Sequence, residues 1–152
     1  MKDIRTLRIS NTPPGLLTSS GSGLFSFEIP AHLRHTPCYI KVVSGIVTNL
    51  ESIFEAAENP DLCFIRHNIP TNSYDVTSKG INRSFGTIIR PANTEKAGGI
   101  QLVGDLVIGQ ATLPPLMEIE LIGYITATGA EVRLDKAAST IEIILELDYS
   151  TC

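Results

Sequence analysis

The sequence predicts an all-β protein, an antiparallel β-sandwich, and three observations predict it. In the stretch from Thr140 to Tyr149, Ile141, Ile143, Leu145, Leu147 and Tyr149 alternate with Glu142, Ile144, Glu146 and Asp148. A strand sends successive side chains to opposite faces, so this period gives one buried face and one mostly wetted face. Turn-forming residues recur every ~8–12 residues along the chain, the spacing expected of a sandwich. The regular helices of ~10–15 residues that a parallel α/β sheet needs between its strands are absent from the pattern.

The elements follow in order. Asp3 to Ser10 reads as a first strand with Arg5, Leu7 and Ile9 on one side. Asn11-Thr12-Pro13-Pro14-Gly15 and Thr18-Ser19-Ser20-Gly21-Ser22-Gly23 break it, because paired prolines and clustered glycines suit turns rather than ladders. Leu24 to Ile29 is a second strand, closed by Pro30, with Phe25, Phe27 and Ile29 on one face. Pro37 opens a longer strand through Thr48. Leu50, Ile53, Phe54 and Ala57 then fall at helical spacing between Asn49, an N-cap residue, and Asn59-Pro60, a stop. One short helix is expected there.

Asp61 to Ile69 is the next strand and ends at Pro70. Thr71 to Gly80 is expected to form a long polar loop, and Phe85 to Arg90 a strand stopped by Pro91. Ile100 to Ile108 is interrupted by Gly104, which marks a bulge or bend. Leu116 to Ile125 follows Pro114-Pro115, with Met117, Ile119 and Leu121 facing in and Glu118 and Glu120 facing out. Gly129-Ala130 marks the last loop. The sum is about eight strands and one minor helix in a single domain over residues 1–152.

Composition narrows the function. The 152 residues suffice to bury a core without disulfide or metal support. Charged residues make up 18%, below the usual ~25%, and neutral polar residues replace them. Such a surface suits broad protein contact, since interface cores are depleted in charge. The net charge is −4 and basic residues do not cluster, so nucleic acid is not an expected partner. The N-terminus lacks an apolar signal region, and no run approaches the ~18–20 apolar residues that span a membrane. Synthesis in a cytoplasm and no membrane insertion are therefore expected.

Chemistry-bearing patterns are few. Cys38, Cys63 and Cys152 form no CxxC pair, and the first two read as small buried hydrophobes inside strands. His32 and His35 lie between Pro30 and Pro37, too confined for a ligand-bearing helix, and His67 sits in another strand. Cys63 and His67 share a strand face ~13 Å apart, too far for a nucleophile and its base. Glu118 and Glu120 stand ~7 Å apart, a spacing open to paired carboxylates, but alternating Glu on a wetted strand is the commoner meaning. Neither catalytic residues nor a cofactor or metal site is expected.

His67-Asn68-Ile69-Pro70-Thr71-Asn72-Ser73-Tyr74-Asp75, followed by Ser84-Phe85-Gly86-Thr87-Ile88-Ile89-Arg90-Pro91, carries a resemblance. A strand ends in proline, an Asn-Ser-Tyr-Asp loop follows, and an apolar strand ends in a second proline. This resembles structural proteins of large eukaryotic DNA viruses and their virophage-like relatives, to whose final strand Thr140–Tyr149 is also similar. The resemblance implies an eight-stranded single jelly roll assembled into the virion, with itself (as a trimer or pentamer) and other capsid proteins as partners. The chain is shorter than a full penton protein of that group, so a minor capsid role is expected. The candidate contact segments are the Asn72–Gly80 loop, with Asn72, Ser73, Tyr74, Asp75 and Lys79, and the Asn11–Gly23 segment. The rival expectations are a receptor-binding fibre-head or lectin-like sandwich and, further off, a cupin-like or hydrolytic enzyme.

Overall fold

The alternating segments become strands whose apolar faces meet between two antiparallel sheets. The computed structural model describes residues 2–10, 17–19, 24–48, 54, 60–70, 74–75, 80–81, 83–90, 100–133 and 140–150. Its strands are β1 (Ile4–Ser10), β2 (Leu17–Ser19), β3 (Leu24–Glu28), β4 (Cys38–Thr48), β5 (Leu62–His67) and β6 (Tyr74–Asp75). They continue as β7 (Gly80–Ile81), β8 (Ser84–Ile89), β9 (Ile100–Ala111), β10 (Leu116–Ile125), β11 (Ala130–Arg133) and β12 (Thr140–Asp148).

One sheet runs β1-β12-β4-β9; the other runs β2-β3-β10-β5-β8, with β11 also on β10. The topology is that of a jelly roll. First pairs with last, β1 with β12, and the remaining framework strands pair as β3 with β10, β4 with β9 and β5 with β8. This is a long hairpin rolled up, so every framework connection except that from β5 to β8 crosses between sheets.

The interior is filled from both sides. Ile9, Ile40, Val47, Ile141, Ile143, Leu145 and Leu147 come from one sheet, and Phe25, Phe27, Ile65, Phe85, Ile88, Met117, Ile119 and Leu121 from the other. Cys38 and Cys63 are buried among them. The expected alternation in β10 and β12 is present, with Glu118, Glu120, Glu142 and Glu146 on the outer sides.

Four elements differ from the sequence expectation. The Pro- and Gly-rich segment after β1 contains β2, and the polar loop after β5 contains the β6–β7 ribbon, with Tyr74 opposite Ile81 and Asp75 opposite Gly80. Each strand is two or three residues long, too short to show a period, and exists through its ladder partner. The segment after Gly129 is β11, turned back along β10; Gly129 takes a φ of 71° while its N–H donates to Ile125 O at 2.8 Å. That left-handed conformation favours glycine. The fourth is a 3-10 turn at Ala31–Leu33 between β3 and β4. Most of the helix expected over Leu50–Ala57 lies outside the described residues; Phe54 within it is helical and fully buried. No helix among the described residues is long and apolar enough to cross a membrane.

Gly104 does mark an irregularity. The β4–β9 register passes from Ser44↔Val103 to Val42↔Leu106. Val43 is left without a partner in that ladder and in the one with β12, where Leu145 faces Val42 and Ile144 faces Ser44. This bulge reverses the side-chain alternation along β4. Cys38, Ile40 and Val42 point inward before it, Gly45 and Val47 after it, so Ile46 emerges on the outer face.

Candidate interaction surface

The connection between β5 and β8 holds the principal sequence candidates, and its base is firmly built. His67 N donates to Arg83 O at 2.9 Å, closing the ladder where the chain leaves β5 and returns to β8. The His67 ring packs on Phe85 with centroids 4.4 Å apart, and its Nδ1 accepts the Ile69 N–H at 3.1 Å. Asn68 supplies what a further strand residue would. Its Nδ2 donates to Leu116 O at 2.9 Å and its Oδ1 accepts from Glu118 N at 2.8 Å. The Ser84 hydroxyl donates to Gly86 O at 2.7 Å and accepts from Gly86 N at 3.1 Å, fixing the start of β8.

The same connection contains the β6–β7 ribbon, with Tyr74 and Asp75 in β6. Asn72, Ser73, Lys79 and most of the Asn11–Gly23 segment lie outside the described residues. The 3-10 turn is tied to the end of β12, since Tyr149 Oη donates to Leu33 O at 2.9 Å. Ile29 N donates to Pro115 O at 3.0 Å and joins β3 to the start of β10.

The titratable groups inside the sandwich are held in their neutral forms. Burial, helped by the positive charge of Arg83, lowers His67 to about 4. The ring is therefore neutral at pH 7, with Nδ1 as acceptor and the proton on Nε2. Burial pushes the Cys63 thiol up to about 12 and also raises Cys38. The thiolate is the nucleophilic form, so neither cysteine is reactive at neutral pH. His32 and His35 are exposed, away from the interior that holds His67. No group of three His, Cys, Asp or Glu among the described residues is placed to hold a metal ion.

The opposite end of the second sheet is closed by backbone-directed bonds. Asp61 accepts from Thr126 N at 2.9 Å and from the Thr126 hydroxyl, which draws its carboxyl below the usual range. Arg90 donates to Pro60 O, and its guanidinium lies 6.0 Å from the Phe54 ring centre.

The sequence reading missed a surface feature. Ile4, Tyr39, Val43, Ile46 and Val107 are exposed, and all belong to the sheet β1-β12-β4-β9. The signal was the doublets Val42-Val43 and Ile46-Val47 in β4, which a strict alternation cannot bury together.

Comparison with known proteins adds no relative. No protein-family model matches the chain, and neither a curated protein nor a solved structure matches it significantly.

Proposed function

We propose that the chain is a structural subunit of a virus particle, a single jelly-roll minor capsid or virion component that acts through protein–protein contacts and performs no catalysis. The observation that carries this reading is the strand pairing: a jelly roll is the fold implied by the resemblance of His67–Asp75 and Ser84–Pro91 to virion proteins. The low charge and the exposed apolar side chains, which among the described residues include Tyr39, Val43, Ile46, Val107 and Ile89, support it, because repeated subunit contacts need surface that is cheap to desolvate. In this reading the partners are further copies of the chain, in trimers or pentamers, and other capsid proteins. The chain is made in the host cytoplasm and resides in the virion, without nucleic acid or cofactor. Tyr74 and Asp75 on the ribbon, with Asn72, Ser73 and Lys79 from the same sequence segment, contact neighbouring subunits.

Light scattering on the purified, reduced protein across a concentration series tests this. A discrete closed oligomer agrees with it. A strict monomer at high micromolar concentration that binds no virion protein argues against it.

A second reading, a receptor- or glycan-binding sandwich, draws on the ribbon itself, a separate two-stranded element in the connection between β5 and β8. Binding on a glycan array that is lost on Tyr74→Ala would favour it.

A further inference from the structure

His67 is a titratable group buried at the last position of β5, and its surroundings suit only the neutral ring. Nδ1 accepts the Ile69 N–H at 3.1 Å, and the ring packs against Phe85 of β8, itself buried. Ile119 of β10 stands beside His67 in the ladder and brings no charge. The charged neighbours in the strands turn away: Glu118 and Glu120 lie on the outer side of β10, and Arg66 of β5 reaches out to Glu131. The opposing sheet sends apolar side chains into the interior. Among the described residues, the charge that acts on the ring is that of Arg83, which precedes β8.

We propose that His67 is an acid-sensitive latch: its protonation unlocks the junction where the chain leaves β5 and enters β8, while the rest of the sandwich stays paired. The latch is a property of the fold and does not depend on what the chain assembles with. The incoming proton goes to Nδ1, the nitrogen that carries the free electron pair. Imidazolium donates from both nitrogens, so the Ile69 N–H loses its acceptor and faces another N–H. Ile69 is fully buried, and no water replaces that acceptor while the junction is closed. Arg83 repels the new charge, and burial keeps it from solvent. Relief comes when the ring reaches water, which parts His67 from Phe85 and Arg83.

Three features keep the opening local. β8 stands last in the strand order β2-β3-β10-β5-β8, so its first residues can leave without breaking another described ladder. The β5–β8 register shifts between Phe64 and Arg66, and past that irregularity lie only the Arg66↔Ser84 pairing and the bond from His67 N to Arg83 O. Asn68 keeps the end of β5 on β10 through its bonds to Leu116 O and Glu118 N, and an amide does not titrate. The closed ring titrates near 4 and the opened one near its ordinary 6.5, so the open form takes up the proton first as pH falls. Between pH 7 and pH 5 its population rises ~20-fold.

Nuclear magnetic resonance on the full chain tests this, in a His32→Gln/His35→Gln background that leaves one imidazole and alters only exposed positions. The ring spectrum at pH 7 should show a neutral imidazole with Nδ1 unprotonated. Amide exchange, divided by the intrinsic rate at each pH, should lose ~20-fold protection at His67, Ile69 and the start of β8 between pH 7 and pH 5. At pH 5 exchange there should respond little to low denaturant, the mark of a local opening, while β4 and β12 keep higher protection that falls steeply with denaturant. His67→Gln, whose side-chain oxygen can still accept the Ile69 N–H, should abolish the pH response. Arg83→Met keeps the histidine, lets the closed ring bind its proton more readily and should shrink the response severalfold, which serves if His67→Gln does not fold. Equal protection with equal denaturant dependence in every strand, constant protection at Ile69 and β8, or an undiminished response in either variant would overturn the latch, whatever the oligomeric state.

Discussion

The two outer faces of the sandwich obey the same alternation and end differently. On the sheet that contains β5 and β10, the outward side chains where β5, β10 and β11 meet cover one another, while Ile89 of β8 and Leu116 of β10 stay exposed. Phe64 and Tyr124 pack with ring centres 5.1 Å apart, and Arg66 of β5 reaches across β10 to form two bonds with Glu131 of β11. Ile122, in outward register opposite Phe64, is fully buried. On the face containing β4 and β9, Tyr39, Val43, Ile46 and Val107 are exposed. The centre of one face is thus packed by its own side chains, while the other leaves Tyr39, Val43, Ile46 and Val107 in solvent beside its ion pairs. Leaving it bare in solution carries a continuing solvation cost, and a contact removes that cost.

The largest expected effect on this contrast is acid. His67 belongs to the self-covered sheet and titrates near 4 in the fold, against an ordinary value of 6.5. Between those values the unfolded chain binds a proton that the native chain refuses, so stability rises with pH through this window. The contribution is complete above pH 6.5 and is lost as pH falls towards 4, a change of about 3 kcal/mol. Denaturant midpoints from pH 7 to 4 measure it, and His67→Gln should remove most of that slope. Hydrogen exchange at pH 4.5 should accelerate in β5 and β8 before β4 and β12. The reverse order would break the comparison at its strongest point.

Next comes packing. A Cβ on Gly123 of β10 would stand 2.9 Å from Pro60 Cγ and 3.0 Å from Pro60 Cβ. Gly123→Ala should therefore cost about 2 kcal/mol by overpacking, read as a lower melting midpoint. Gly109 of β9, with open space around it but a φ of 108°, would be strained on substitution for a different reason.

The outer faces themselves give a smaller and more direct contrast. Phe64→Ala removes a partly covered ring and its Tyr124 partner, and should destabilise by about 1.5 kcal/mol. Tyr39→Ala on the open face should change the stability of the separated subunit by less than ~0.5 kcal/mol. Equal losses in chemical denaturation would mean that the open face is covered within the chain after all. The smallest effect is expected at Arg66→Met, below ~1 kcal/mol and shrinking with added salt, because both partners are partly solvated.

Much of the architecture could be read before any coordinates. β12 and the first half of β10 alternate, with apolar side chains inside and Glu118, Glu120, Glu142 and Glu146 outside, and the prolines at 30, 37 and 115 lie next to strand ends. The short strands β2, β6, β7 and β11 could not be read this way, because two to four residues carry no period. The candidate contact loop was legible as composition, yet the ribbon within it, and the His67, Asn68 and Ser84 bonds beneath it, depend on neighbours far along the chain.

By itself the sequence determined that this chain forms long half-buried strands, which is a matter of local period. Only the tertiary structure decided the fate of β4. Its Val42-Val43 and Ile46-Val47 doublets permit either face to hold Ile46. The ladders with β12 and β9 place the bulge at Val43, and that single unpaired residue reverses the register downstream. Val47 is thereby sealed in the core and Ile46 set in solvent. Register belongs to pairs of strands, and a single strand cannot fix it.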